Sequence, residues 1–165
     1  MISTMDFRHL CRAVFAGALI LLGLALPAAP AAAQDRVAVI LRGDTVIGEF
    51  EDWTRATGTV YVRVSRNNQR RIPMGDIQVI DFTAAGKVVR EELKEAEGAH
   101  QLLVLTSGQR IKGTLLNIEG GPGSAKPQEP RILSFRTVDG DEMRYRPSEL
   151  ARLYLIDFQF TDAPQ

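Results

Sequence analysis

The feature that most constrains the fold is an internal repeat marked by a pair of glycines. Residues 41–50 read LRGDTVIGEF and residues 106–115 read TSGQRIKGTL, so Gly-x4-Gly occurs in both. A second match, between RIPMGDIQVI at 71–80 and RYRPSELARL at 144–153, has a larger offset than the first. The extra residues of the later copy fall in the Gly- and Pro-rich stretch 120–130, which is typical of a surface loop. We therefore predict that one structural unit occurs twice in this chain.

Within each unit the residue pattern predicts short β-strands. The middle strand alternates its side chains with the period of two of a half-buried strand, at Val60, Val62 and Val64 and again at Leu133, Phe135 and Thr137. Each unit closes on an acidic residue followed by two apolar residues three positions apart, which predicts one helical turn before a last strand. Glycine inside a strand usually marks a bulge or a bend, and Gly48 and Gly113 occupy such positions. The expected count is five strands per unit.

This arrangement resembles the Sm-like and SH3-like small barrels. The match rests on two sets of residues: Gly43, Gly48 and Phe50, and Gly108, Gly113 and Leu115. The resemblance covers most of residues 37–158 and implies an all-β protein of two tandem five-stranded barrels. The RNA-binding Sm pattern has Asp and Asn six and ten residues after the second glycine, where this chain has Thr54 and Gly58, then Glu119 and Gly123. The resemblance therefore does not carry the RNA site to this chain, and such small barrels host many functions.

The implied organisation is a signal peptide at 1–33, a first barrel at 34–82, a polar linker at 83–98 and a second barrel at 99–160. The linker is helix-prone and bounded by glycines, and Leu93 is its one clear apolar anchor besides Val88 and Val89. We expect a solvated connector, either a short helix or an extended segment. A helix that docks a partner is the alternative.

The first thirty-three residues have the layout of a secretory signal peptide. Arg8 and Arg12 precede an apolar run over residues 13–26, and residues 31–33 are three alanines that supply a small-x-small cleavage site. Cleavage there makes Gln34 the first residue of a periplasmic or secreted protein, while a retained membrane anchor is the alternative. Cleavage also removes Cys11, the only cysteine, so disulfides and thiolate metal sites are not expected.

Charge and residue inventory argue against several classes of function. The chain has 20 basic and 20 acidic residues, so it lacks the basic excess of a nucleic-acid-binding protein. After cleavage His100 is the only histidine, no histidine cluster is left to hold zinc, and no nucleophile elbow surrounds Ser107. We interpret the carboxylate pairs Glu49/Glu51 and Asp139/Asp141 as exposed strand and turn acids. The prediction is a protein that is not an enzyme and that uses no metal or cofactor.

Arginines recur on the predicted third and fourth strands of both units. With the hairpins centred on Asn67 and Gly140, Arg63 faces Arg71 and Arg136 faces Arg144. Like charges that face each other across a ladder are destabilising unless a negative group lies between them. We therefore hypothesise that each pair meets an anion.

Two sources of that anion remain open. One is a carboxylate of an adjacent strand, with Glu49 or Glu51 as the candidates in the first unit. The other is a phosphate or carboxylate of a bound ligand or partner.

The second candidate site is aromatic and comprises Trp53, Phe50 and Tyr61. Trp53 lies in the polar segment EDWTR, where an exposed indole could stack on a sugar ring or on a partner surface. Packing in the core, or as a lid over one barrel end, is the alternative. Together these patterns predict an exported, non-catalytic binding or assembly module that acts on an envelope protein or complex. A cell-wall glycan-binding module is the first alternative and a small carboxylate-dependent hydrolase the second.

Overall fold

The computed structural model describes residues 36–54, 57–96 and 100–155. The predicted signal peptide and its cleavage site lie outside the described residues. The first half of the described chain contains strands β1 (Arg36–Leu41), β2 (Asp44–Thr54), β3 (Thr59–Ser65), β4 (Asn68–Pro73) and β5 (Ile77–Asp81). After helix α1 (Arg90–Ala96) come β6 (Gln101–Leu105), β7 (Arg110–Glu119), β8 (Ile132–Thr137), β9 (Glu142–Tyr145) and β10 (Leu150–Tyr154). The predicted all-β class is confirmed.

All ten strands belong to one antiparallel sheet with the order β4-β3-β2-β1-β5-β10-β6-β7-β8-β9. The two halves meet where β5 pairs with β10, and there Asp81 faces Arg152 and Ile80 faces Leu153. We call this junction the seam. The expectation of two separate barrels is corrected here, because the ladder runs from one half into the other without a break. The physical reason is that β5 and β10 would each leave a row of unpaired backbone groups, and pairing them satisfies both rows.

Outward from the seam, the two halves have the same strand order, β5-β1-β2-β3-β4 and β10-β6-β7-β8-β9. In the sequence match Ile77 corresponds to Leu150, and these two residues begin β5 and β10, which have equal lengths. A 3-10 turn precedes each of these last strands, at Met74–Asp76 and at Pro147–Glu149. A helical turn before the last strand of each unit is thus present, but it lies just before Ile77 and Leu150. The apolar pairs Ile77/Ile80 and Leu150/Leu153, whose spacing suggested the turn, belong to β5 and β10 themselves.

The long second strand of each half bends at a β-bulge. In β2 the register slips between Phe50 and Asp52, and in β7 it slips at the matching residues, between Leu115 and Asn117. Gly48 and Gly113 each lie just before the slip and have a different role. A Cβ on Gly48 would overlap the carbonyl oxygen of Arg63, and one on Gly113 would overlap that of Arg136. Glycine therefore lets the third strand of each half approach its neighbour closely.

One face of the sheet encloses a single apolar core to which both halves contribute. Phe50 and Val60 of the first half belong to the same buried cluster as Leu115 and Phe135 of the second. Strands β2 and β7 contact each other, so the sheet curls around this shared core. The arrangement hides from water the apolar residues of both halves together.

Helix α1 covers the opposite face of the central strands. Leu93 is 1% exposed and packs in a second cluster with Ala96, Leu102, Val104 and Tyr154. The connector forms a helix, which was one of the two expected conformations. The expectation that it is solvated is wrong, because the short helix is amphipathic and its apolar side packs on the strands at the seam. No helix in the described ranges is long and apolar enough to cross a membrane.

Candidate functional site

The arginine pairs expected across the third and fourth strands do not form. Arg63 faces Gln69, and Arg71 faces Tyr61. In the second half Arg136 faces Glu142, and Arg144 faces Ser134. Both hairpins are thus shifted by two positions from the predicted register, which keeps each side chain on its expected face but changes its neighbour.

The shift has its origin in the turns. The β3–β4 turn consists of Arg66 and Asn67 alone, with Ser65 opposite Asn68 and a bulge in the ladder next to this pair. In the β8–β9 loop the amide of Thr137 donates to the carbonyl of Asp141 at 2.9 Å, and Gly140 adopts a φ of +95°. A three-residue hairpin loop with glycine in the left-handed region is a common alternative to a tighter turn. The centre of each hairpin therefore lies nearer the N-terminus than the residue pattern suggested.

Carboxylates within the chain pair with three of the four predicted arginines. The Arg63 guanidinium contacts Glu51 and lies 3.9 Å from Glu49. In the second half Arg136 binds Glu142 at 2.6 Å and Arg144 binds Glu119 at 2.9 Å. Adjacent carboxylates, the first of the two anion sources considered, thus accompany these side chains, and a ligand role for Arg63, Arg71, Arg136 and Arg144 stays a prediction.

Arg71 and Tyr61 form a stacked pair on the outer side of the first half. The guanidinium carbon of Arg71 lies 5.9 Å from the centroid of the Tyr61 ring, which is the geometry of a weak cation–π contact. Arg71 is exposed and Tyr61 is half-buried. This is the part of the predicted aromatic site that remains accessible from solvent.

The other two aromatic candidates are core residues. Phe50 is buried, and Trp53 is 9% exposed and belongs to the shared core. Residues 51–54 of the polar segment are the end of β2, where Trp53 faces Val60 on β3. The bulge at Glu51 changes which residues point inward, so contact of Trp53 or Phe50 with a ligand is corrected to core packing, the alternative considered.

We expect Trp53, the only tryptophan, to emit at a blue-shifted wavelength in the native protein, because its ring lies in an apolar environment. Acrylamide should quench the native emission weakly and that of the guanidinium-unfolded chain strongly. Fluorescence spectra of the two states check this. A native spectrum with the maximum and quenching of free indole in water would contradict the placement of Trp53.

A shallow cleft of about 370 Å³ lies on the outer side of the first half, next to Arg63. Its lining includes Arg36 at the start of β1, Glu49 on β2, and Val64 and Arg66 at the end of β3. Arg36 faces Glu49 across the β1–β2 ladder, and Glu49 faces Arg63 across the β2–β3 ladder. These three charged residues therefore form a row across adjacent strands. We call this feature the arginine cleft.

A buried arginine that the sequence analysis missed joins the long loop to β2. Arg131 is 6% exposed, and its guanidinium donates to the carbonyls of Phe50 at 2.5 Å, Glu51 at 2.8 Å and Pro122 at 2.8 Å. Its guanidinium carbon lies 5.0 Å from the centroid of the Phe50 ring. Arg131 thus fastens the Gly- and Pro-rich loop of the second half to the first. Its position directly after Pro130 carries no sequence signal for burial.

A second missed group lies beneath α1. The Glu92 carboxylate, on a residue 4% exposed, accepts hydrogen bonds from Arg152 Nε at 2.6 Å and Nη2 at 2.7 Å. The Tyr154 hydroxyl donates to Glu92 Oε2 at 2.8 Å and accepts from the Val89 amide at 3.1 Å. This network fixes the helix over the seam, because Arg152 and Tyr154 both belong to β10.

The network shifts the pKa values of its members. Burial acts to raise the pKa of Glu92, but the hydrogen bonds from Arg152 and Tyr154 and the charge of Arg152 outweigh it, so the Glu92 pKa lies below its usual value. Burial raises the pKa of the Tyr154 hydroxyl, and the neighbouring Glu92 carboxylate raises it further. At neutral pH the network is therefore an ionised Glu92–Arg152 pair with a protonated Tyr154.

The residues considered for catalysis, His100 and Ser107, are not brought together by the fold. His100 is exposed just before β6, and Ser107 lies in an exposed turn where its hydroxyl accepts from the Gln109 amide at 3.4 Å. Among the residues that the structure describes, no group of three His, Cys, Asp or Glu side chains is placed to hold a metal ion. Searches against protein-family models, curated proteins and solved structures find no match for this chain.

Proposed function

We propose that this chain is an exported, non-catalytic binding or assembly module that acts on an envelope protein or complex. The observation that carries the proposal is the pair of open sheet edges at β4 and β9. In this proposal the two halves are copies of one five-stranded unit related to the Sm-like and SH3-like barrels, joined at the seam.

Several features support the repeated unit. The two halves share one strand order, and their bulges lie at residues that correspond in the sequence match. Gly48 and Gly113 make the same close approach to the third strand of their half. Such agreement in order, bulge and glycine is expected of two copies of one unit.

The seam determines which edges are left for a partner. Two five-stranded units have four outer strands, and the β5–β10 pairing consumes two of them. The remaining outer strands are β4 and β9, whose residues are exposed except for Ile72 and Tyr145. An exposed edge can accept an extended segment of another protein through backbone hydrogen bonds, with the side chains giving specificity.

Charge on these edges restricts which strand can be added. Arg70 and Arg71 lie on β4, and Glu142 and Arg144 lie on β9. Charged residues protect an edge from indiscriminate pairing, and complementary charge guides the correct partner. The basic β4 edge, with Arg71 stacked on Tyr61, suits a partner segment that carries acidic residues.

Site-specific photo-crosslinking in a bacterial host tests the proposal. A photoreactive residue in place of Arg71 on β4 or Met143 on β9 should give a discrete adduct with an envelope protein. The matched control is the same residue in place of Lys94, which is exposed on α1. Arg71→Glu should weaken an adduct formed from an adjacent β4 position such as Gln69. Adducts from position 94 alone, or none from either edge, would contradict the proposal.

Export is part of the same proposal and rests on the sequence of residues 1–33. The protein recovered from the envelope fraction should begin at Gln34, which N-terminal sequencing determines directly. Recovery of the intact N-terminus in the cytoplasmic fraction would contradict export.

A further inference from the structure

We propose that the arginine cleft binds a phosphate group. The cleft lies on the first half beside the β4 edge, but its lining contains no residue of β4 or β9, and the proposal does not rest on the proposed function. Its lining includes three arginines, Arg36, Arg63 and Arg66, together with a single acidic residue, Glu49.

The arginines of the cleft differ in how far they are already neutralised. Arg63 contacts Glu51 and is oriented by it, while Gln69 Nε2 holds the other oxygen of Glu51 at 2.5 Å. Arg36 and Arg66 form no ion pair with another residue of the described ranges. Two guanidinium groups are therefore left to receive an external anion, beside a third whose direction is fixed.

The strand register gives this charge a defined spacing. Arg36 and Arg63 stand on either side of Glu49 in the row across β1, β2 and β3, and adjacent strands are about 4.8 Å apart. Arg66 extends the set from the β3–β4 turn. An anion that takes the place of the Glu49 carboxylate between Arg36 and Arg63 can thus be approached from two or three sides, which suits a group with several acceptor oxygens.

The guanidinium groups of Arg36 and Arg66, which form no ion pair with another described residue, favour a ligand with several acceptor oxygens. When Glu51, the partner of Arg63, is counted with Glu49, the three arginines keep an excess of one positive charge. A phosphate monoester carries about −1.5 to −2 at neutral pH and presents three acceptor oxygens. Guanidinium matches phosphate geometry through paired donors.

The walls of the cleft provide room for the rest of such a ligand. Gly48 contributes no side chain to the lining, and Val64 is 43% exposed there. An exposed valine next to guanidinium groups offers apolar contact for the carbon part of a phosphorylated molecule.

The second half has the same strand order but different residues at the positions of two of the cleft arginines. In the strand register, His100 stands at the position of Arg36, because the next residue, Gln101, faces Gly113 as Val37 faces Gly48. In the sequence match, Asp139 stands at the position of Arg66. The Gln101 side chain accepts the Leu115 amide at 2.6 Å, and Arg136, at the position of Arg63, is paired with Glu142. The corresponding described residues of the second half thus do not repeat the arginine set of the cleft.

Binding measurements with defined probes test the proposal. Isothermal titration calorimetry of the purified chain with inorganic phosphate and pyrophosphate examines soluble ligands. Cosedimentation with phosphatidylcholine vesicles, with and without phosphatidic acid, examines a lipid headgroup. We expect binding to at least one phosphate source, weakened by at least about tenfold in Arg36→Gln/Arg66→Gln and reduced by added salt.

The matched control is Arg90→Gln/Lys112→Gln, which removes two exposed positive charges outside the cleft. It should bind as the unchanged protein does, and circular dichroism should show all three proteins folded. Binding of the soluble anions assigns the cleft to a free ligand, and binding only to phosphatidic acid vesicles assigns it to a headgroup. No binding to any probe, or equal weakening in both double variants, would overturn the proposal.

Discussion

Replacing Arg152 with methionine is expected to destabilise the native protein by about 3–5 kcal/mol. The substitution leaves the ionised Glu92 carboxylate beneath α1 without the two hydrogen bonds it receives from the guanidinium. Chemical denaturation at neutral pH measures the loss. The matched control is Arg110→Met, which removes an exposed partner of Glu95 and should cost less than about 1 kcal/mol. Equal effects of the two substitutions would contradict a buried role for the network.

The same variant should respond to pH in a defined direction. In the unchanged protein the pKa of Glu92 is lowered on folding, so its contribution to stability is complete above the unfolded pKa, near 4.5, and is lost as the pH falls below it. Without Arg152 the burial of Glu92 instead favours its protonated form. The difference in unfolding free energy between Arg152→Met and the unchanged protein should therefore shrink from pH 7 to pH 4. A difference that is constant or grows over this range would show that Glu92 does not depend on Arg152.

Replacing Arg131 with methionine is the second substitution with a large expected effect, about 3 kcal/mol or more. A hydrogen bond to a charged group contributes about 1.5–3 kcal/mol, and a buried acceptor left unpaired carries a further cost. Arg131 donates to the carbonyls of Phe50, Glu51 and Pro122. Denaturant titration measures the loss in unfolding free energy.

Two comparisons separate the geometry of Arg131 from its charge and size. Arg131→Lys keeps the charge but lacks the planar fork that reaches several carbonyls, so it should recover only part of the stability. Arg136→Met makes the same change at an exposed arginine of β8, the strand that follows Arg131. It should lower the unfolding free energy only slightly. Full recovery in Arg131→Lys would show that the positive charge alone matters.

The period of the residue pattern was enough to predict most of the strands. The alternation around Val60 and around Leu133 lies within β3 and β8, and the Gly- and Pro-rich stretch separates β7 from β8. Strand alternation and loop composition depend on residues that are close in sequence, and so these elements could be predicted from the sequence alone.

Features that depend on contacts between distant residues could not be predicted in this way. The seam joins β5 and β10, whose sequences look like ordinary strands and give no sign that they pair with each other. The partial burial of α1 depends on a sheet face formed by both halves, which the single anchor Leu93 does not reveal. The predicted hairpin registers were wrong by two positions, because the first hairpin has a two-residue turn next to a bulge and the second has a three-residue loop.

In the candidate sites too, the strands that hold the arginines could be predicted from the sequence, whereas the contacts of those side chains could not. Arg63 and Arg71 lie on the third and fourth strands as predicted, but the residues that face them depend on the register and were predicted wrongly. Trp53 was expected in a loop, since its neighbours are polar, and the bulge in β2 turns it into the core. Arg36, which completes the arginine cleft, lies far from Arg66 in sequence and comes near it only through the strand order.

The single folding unit depends on the seam, because the pairing of β5 with β10 joins the two halves and leaves only β4 and β9 as open edges of the described sheet. Differential scanning calorimetry tests this most directly. A single sheet over a shared core predicts one unfolding transition whose calorimetric and van't Hoff enthalpies agree. Two separable transitions, each with the enthalpy of about half the chain, would contradict it.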